Sequence, residues 1–164
     1  MGVVSLVTAP ENLWDNDKGI YVFGDKFNSE FPYNGANFHE DWEYPASIGL
    51  YELDNTGFDN TYCGVRLFGA YSRALPAKSF ACFFRGKYGV EQIEYPFFGE
   101  NYVTPFNSLV LRNGGQDWNR ARMRDALVSK LAIDHGLKVD CMNMKPVVLY
   151  LNGEYWGCYY IREK

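Results

Sequence analysis

The 164-residue sequence is 47% hydrophobic and 18% aromatic, which excludes a disordered chain and suits one domain with a real core. Its formal net charge of −4 comes without a basic helix or stripe, which excludes nucleic acid as an expected partner. No apolar run approaches the ~18 residues of a membrane span, and the apolar stretch Val3–Val7 lacks the length and basic flank of a secretory signal.

In chain order, Ala9–Trp14 predicts one helical turn, with Pro10 suited to its first position. Lys18–Gly24 reads as the first strand. Residues 25–45 are rich in Asn, Gly, acids and aromatics, and read as a long functional or mobile loop pinned at its end by Trp42 and Tyr44. Ala46–Leu53 is the second strand, closed by the turn Asp54-Asn55-Thr56-Gly57, and Thr61–Phe68 returns as the third. Gly69–Ala77 is a polar loop, Lys78–Phe84 a fourth strand, Val90–Tyr95 a short fifth and Phe106–Leu111 a sixth.

Asn113-Gly114-Gly115 breaks that strand, and Asp117 is the expected N-cap of the one long helix, Trp118 to about Asp134. Met123, Ala126, Leu127 and Leu131 form a stripe suited to a sheet. Trp118, Ala121, Val128 and Ala132 extend apolar character round the cylinder, so cover on more than one side is expected.

The stretch Pro146–Lys164 organises the chain. Asn152-Gly153 between two apolar runs predicts a tight type I′ hairpin, because both central residues need φ > 0. A two-residue loop sets Leu151 opposite Glu154, Tyr150 opposite Tyr155 and Leu149 opposite Trp156. One face then carries Val147, Leu149, Trp156, Cys158 and Tyr160; the other carries Val148, Tyr150, Tyr155, Tyr159 and Ile161. Both faces are apolar, so the hairpin is expected to be central and covered on two sides. No closing element follows Arg162-Glu163-Lys164, so residues 1–164 read as one domain cut from a larger unit. The expected fold class is α+β, mainly antiparallel sheet with one long helix across it.

Cys63, Cys82, Cys141 and Cys158 show no CxxC spacing, and those within predicted strands read as buried free thiols. Charge is unevenly spread. Residues 1–60 hold eleven acids and two bases, residues 61–90 hold Arg66, Arg73, Lys78, Arg85 and Lys87 with no acid, and residues 91–164 hold nine of each sign. The positive block suggests an anion site; the plain alternative pairs it with the acidic amino-terminal third.

Several segments carry a likeness to a known family: Trp42–Ile48, Cys63–Gly69 with Tyr71-Ser72-Arg73, Pro76–Phe80, Arg85 and Tyr88-Gly89. The more specific are Leu109–Asp117, Arg124-Asp125-Ala126-Leu127, and Tyr150–Gly157 running on to Arg162-Glu163-Lys164. In this order they resemble the spore-coat-protein-H (CotH) kinase family over nearly the whole chain. The resemblance implies the amino-terminal lobe, to the hinge, of an atypical protein kinase. The whole would phosphorylate Ser/Thr of secreted or coat proteins, using ATP with Mg2+ or Mn2+, outside the cell, at its surface or in a spore coat. A missing carboxy-terminal lobe would carry the catalytic base and metal-binding aspartates, so this fragment is expected to need no cofactor and to be inactive alone. The sequence holds no G-x-G-x-x-G loop, kinase catalytic loop or D-F-G-type triplet.

Within that resemblance Lys78 is the candidate catalytic lysine and phosphate contact, since it opens a strand inside the positive block. Its alternative is an edge lysine with a solvated head. Arg73 on the adjoining loop is a second candidate phosphate contact. Asp125 is the candidate carboxylate partner of Lys78, although it lies roughly 160° round the helix from Leu127. Tyr160 and Glu163 fall where a hinge would meet an adenine, or are ordinary strand residues. Two other classes stay open. One is a secreted carbohydrate-binding or adhesive β-module, given 12 Phe, 13 Tyr and 4 Trp. The other is a non-catalytic coat scaffold.

Overall fold

Period-two alternation runs through most of the chain, and it places one apolar row per strand on a common side. In the computed structural model, which describes residues 1–100, 102 and 105–164, those rows face one another inside a closed barrel. The strands are β1 (Gly2–Thr8), β2 (Tyr44–Tyr51), β3 (Gly57–Phe68), β4 (Ser79–Phe83), β5 (Ser108–Arg112), β6 (Met144–Leu151) and β7 (Glu154–Glu163). Round the barrel they run β1-β2-β3-β4-β5-β7-β6, and β6 returns to β1. Every pairing is antiparallel except β1 with β6, where Gly2–Leu6 run alongside Val147–Leu151. The α+β, mainly antiparallel class therefore holds, and closure leaves no free sheet edge.

The barrel interior is the core. Val4 and Leu6, Ile48 and Leu50, Cys63, Val65 and Leu67, Phe80 and Cys82, Leu109 and Leu111, Val147 and Leu149, and Tyr159 and Ile161 are all buried there. A smaller patch on the outer wall joins Ala81, Phe83 and Val110 with Phe68. Helix α1 (Pro10–Trp14) forms as expected, with proline in its first turn.

Several expectations are corrected. Lys18–Gly24 is not a strand; it crosses an end of the barrel, where Ile20 is buried and Tyr21 stacks on Phe80. The true first strand is Gly2–Thr8, whose alternation Val4/Leu6 meets β2 and β6. Val90–Tyr95 contributes only isolated bridges, Arg85 to Val90 and Ile93 to Phe106. The 25–45 loop is anchored well before Trp42, because Ala36, Asn37 and Phe38 are buried and Phe23 packs on Phe27, Tyr33 and Phe38.

The Asn152-Gly153 turn has φ of 51° and 85°, as a type I′ turn requires, and Leu151 and Tyr150 face Glu154 and Tyr155. Beyond that the register slips: Leu149 faces Gly157, not Trp156. A bulge puts one extra residue into β7, which reverses the phase of everything after it. The inward set is consequently Val147, Leu149 and Leu151 with Tyr159 and Ile161, while Cys158 turns out to be exposed. The outer face is only partly covered: Val148, Tyr150 and Tyr160 are half-buried, whereas Tyr155 is exposed and meets Tyr150 edge-on.

Helix α2 spans Arg124–Asp134, shorter than Trp118–Asp134. Arg122 takes a left-handed φ of 60°, which an α-helix cannot contain. Asp117 still serves the helix start: its carboxylate accepts the backbone N–H of Arg124 at 3.3 Å. The expected packing stripe is also corrected. Leu127 and Leu131 are exposed, and the buried or half-buried residues are Asp125, Ala126, Ser129 and Ala132. The small-residue face lies toward the barrel.

Candidate functional site

The end of the barrel where β4 begins gathers the residues of interest. Lys78 continues the inward phase of Phe80 and Cys82, so its side chain enters the barrel mouth, and only 4% of the residue is exposed. Its Nζ donates to the carbonyls of Arg73 at 2.6 Å and Leu75 at 2.9 Å. It also lies over the rings of Phe38 at 4.2 Å and Tyr21 at 5.1 Å. Burial without a carboxylate pulls its pKa down to about 8. The solvated-edge alternative is therefore corrected: the ammonium is enclosed.

A polar frame fixes the Lys78 backbone. Tyr21 Oη accepts the Lys78 N–H at 3.1 Å and donates to the carbonyl of Pro76 at 3.0 Å. Trp156 Nε1 donates to the same Tyr21 oxygen at 3.3 Å, and Tyr159 Oη donates to the Lys78 carbonyl at 2.9 Å. Burial raises the pKa of both tyrosines, which keeps them neutral hydrogen-bond donors. On the β5 side, Asn113 is buried; its Oδ1 accepts from Ser79 Oγ at 2.9 Å and from the Gly115 N–H at 2.8 Å, and its Nδ2 donates to Ala77 O. Asn113-Gly114-Gly115 thus ties the end of β5 to the start of β4.

The rest of the positive block pairs with the amino-terminal third. Arg73 Nη2 meets Asp41 at 2.8 Å and Arg66 approaches the same carboxylate at 3.9 Å. The Arg73 hydrogen bond and charge hold the Asp41 pKa below the usual carboxylate range. Arg85 and Lys87 both meet Glu43 at 3.1 Å. Of the five cations in this block, Lys78 alone has no carboxylate among the described residues.

The other sequence candidates lie as follows. Arg73 is close to Lys78, but it offers a backbone carbonyl to the ammonium and directs its guanidinium to Asp41. Asp125 does not meet Lys78: its Oδ2 is 2.8 Å from Nε of Arg112, because the α2 face carrying it turns toward β5. Tyr160 faces Arg112 across the sheet and borders a cavity of about 710 Å³ between α2 and the β6–β7 wall. Glu163 accepts from Tyr102 Oη and from the Asn143 N–H at 3.0 Å. The structure therefore brings Lys78 and Arg73 together, sets Asp125 on α2 against Arg112, leaves Tyr160 on the outer face of β7, and puts Glu163 in the inward phase of Leu109 and Ile161, level with Cys82 rather than with Lys78.

Sequence reading missed Tyr21, Phe38, Arg112 and Tyr159. Arg112 had a signal, since it sits in the motif Leu109–Asp117; the aromatic cage had none, since Phe38 comes from a segment that reads as loop and Tyr21 from one that reads as strand. Among the described residues no three His, Cys, Asp or Glu side chains gather as metal ligands. Nor is any described helix long and apolar enough to cross a membrane. The aromatics mostly meet tilted or edge-on in clusters against the core, for example Tyr95, Phe97 and Phe106.

A family model described as CotH kinase protein matches residues 65–164, from the middle of β3 through β7. No curated protein matches the sequence. The match covers more than half of the chain and includes Lys78, Arg112, Asn113 and the Asn152-Gly153 hairpin, so the chain belongs to the CotH kinase protein family.

Proposed function

We propose that this chain is the nucleotide-binding lobe, kinase amino-terminal in kind, of an atypical protein kinase that phosphorylates Ser/Thr of secreted or coat proteins. One observation carries the reading. Lys78 is a buried ammonium at a barrel mouth, held by backbone carbonyls and aromatic faces, and unneutralised by any carboxylate among the described residues. Such a group is poised to exchange carbonyl partners for phosphate oxygens, which a charge-assisted contact favours. ATP would supply the transferred phosphoryl group, with Lys78 orienting its phosphates and Arg73 within reach from the adjoining turn. Tyr160 and Glu163 stand near the adenine in this reading, and Asp125 steadies the cationic side from α2. No metal-ligand set gathers among the described residues, so the side chains present do not by themselves fit Mg2+ or Mn2+. The base and metal ligands belong to a further lobe, so this chain alone is inactive. Secretion, cell-surface display or a spore coat is the compartment the family suggests.

The test uses the full-length kinase with Lys78→Ala and Lys78→Arg, folding being checked by circular dichroism. Lys78→Ala should weaken ATP binding by about 1.5–3 kcal/mol and abolish phosphorylation. Lys78→Arg should also impair it, because a planar fork does not replace a compact point charge. A folded Lys78→Ala enzyme with wild-type activity would remove the nucleotide from this face.

A further inference from the structure

Beside the Lys78 mouth lies a second cavity, of about 630 Å³, between the turn Ala70–Leu75 and the segment Arg112–Asn119. Leu75 lines it, and the carbonyl of Leu75 accepts from Lys78 Nζ. The cavity wall and the Lys78 ammonium thus share Leu75. Arg73, on the turn that flanks the cavity, directs its guanidinium away to Asp41, whereas Arg112, at the end of β5, lines the cavity.

Arg112 is placed there by backbone geometry. Gly115 has φ of 60°, and a Cβ on it would lie 2.5 Å from Arg112 Nη2, so the guanidinium occupies space that only glycine leaves. The buried Asn113 holds this loop through Ser79 and Gly115. Arg112 keeps one anionic partner, Asp125, whose side chain is 43% exposed on α2. The flanking segment carries Arg120, Arg122 and Arg124 against Asp117, which Arg124 approaches at 3.4 Å, a positive local balance close in sequence to the cavity wall. Gln116, Asn119 and Ser72 supply hydrogen-bonding groups on the walls, beside the rings of Tyr71 and Trp118.

We propose that this cavity binds a phosphate group, with Arg112 as the cation that receives it. This rests on the nucleotide reading above, and it moves the second phosphate contact from Arg73 to Arg112. An arginine fork matches phosphate oxygens in two-point fashion. The Asp125 carboxylate competes with the incoming anion for the same guanidinium.

The experiment is calorimetric titration of the 164-residue chain with ATP and, separately, with inorganic tripolyphosphate. Folding of each variant is checked by circular dichroism. Arg112→Gln should weaken binding of both probes by roughly ten- to a hundredfold, and Arg112→Lys should recover part of the loss. Asp125→Asn should strengthen tripolyphosphate binding, because it removes the competitor. A merely structural Arg112–Asp125 pair would instead make both variants weaken binding alike, and that result overturns the proposal. So does undiminished affinity in folded Arg112→Gln, or a wild-type chain that ignores tripolyphosphate. The two readings separate cleanly. Loss of ATP binding in Lys78→Ala but not in Arg112→Gln keeps the nucleotide reading and sinks the Arg112 site. Arg112-dependent tripolyphosphate binding with no affinity for ATP does the reverse.

Discussion

In the barrel, Val4, Leu6, Leu149 and Ile161 are at most 1% exposed, whereas on α2 Leu127, Val128 and Leu131 are 52%, 66% and 48% exposed. Both regions are apolar in sequence, and the difference lies in how each can satisfy itself. Seven strands with period-two alternation close on one another, so every inner row finds a facing row. A single helix has no such recourse. It is tied to the barrel by the Arg112–Asp125 ion pair, and its less exposed residues are Asp125, Ala126, Ser129 and Ala132. The gap of about 710 Å³ between it and the β6–β7 wall is lined by Met123, Leu127 and Ile133. Stability should therefore be concentrated in the barrel and thin in α2.

The largest test of that contrast is a truncation in the barrel. Leu149→Ala should lower unfolding free energy by about 2–5 kcal/mol in a urea titration, since the interior cannot collapse round the lost methyls. A loss below about 1 kcal/mol would mean the barrel interior is loosely packed.

The barrel is not uniformly favourable, and Lys78 shows it. Its folded pKa, about 8, lies below that of a solvated lysine. The unfolded chain consequently binds more protons between about pH 8 and pH 10.5, so stability rises with pH across that window. Below it, both states carry the charge and the full burial cost is present. Lys78→Met should thus stabilise the protein by about 1–3 kcal/mol at neutral pH. The gain should shrink as pH climbs past about 8 and vanish above the ordinary lysine range. Urea midpoints of both proteins across this range decide it; a gain independent of pH would assign the effect to packing.

A smaller effect is expected at the hairpin tip. Asn152 has φ of 51°, and its Oδ1 accepts the Thr8 N–H at 2.9 Å, so it both makes the turn and fastens β1. Asn152→Ala should cost about 1 kcal/mol in thermal or urea unfolding, from the strained φ together with the lost hydrogen bond. Asn152→Gly should recover the part due to φ and leave the rest.

The smallest change belongs to α2. Leu127→Ala should alter global stability by less than about 0.5 kcal/mol, and the α2 amides should exchange faster than those of β3 or β6. A cost like that of Leu149→Ala would erase the distinction between helix and barrel.

The candidate site was legible to different depths. Lys78 could be found because its phase with Phe80 and Cys82 and its place in an acid-free block are both written locally. That it would be enclosed could not, since Phe38 and Tyr21 come from stretches that read as loop and strand. Asp125 was legible as a motif residue, yet its partner depends on which face of α2 meets the barrel. The apolar stripe through Leu127 suggested one face, and the small residues Ala126, Ser129 and Ala132 are the less exposed ones instead. The acidic amino-terminal third was visible as an alternative partner for the positive block, and Asp41 and Glu43 take that role for every member except Lys78.

By itself the sequence determined the features that depend on neighbours a few residues away. The sign of φ at Asn152-Gly153, proline in the first turn of α1, and the inward row through Lys78, Phe80 and Cys82 are of this kind. Tertiary structure alone decided the closure of the sheet by the parallel β1–β6 pair, and the bulge between Leu149 and Tyr150 that reverses β7. It also decided the enclosure of Lys78 and the choice of Arg112 as partner of Asp125. The reason is physical. A turn or an alternation is settled by local sterics and side-chain period, whereas a strand's neighbour, a bulge's phase and a cation's partner are settled by which distant surfaces come to share one core.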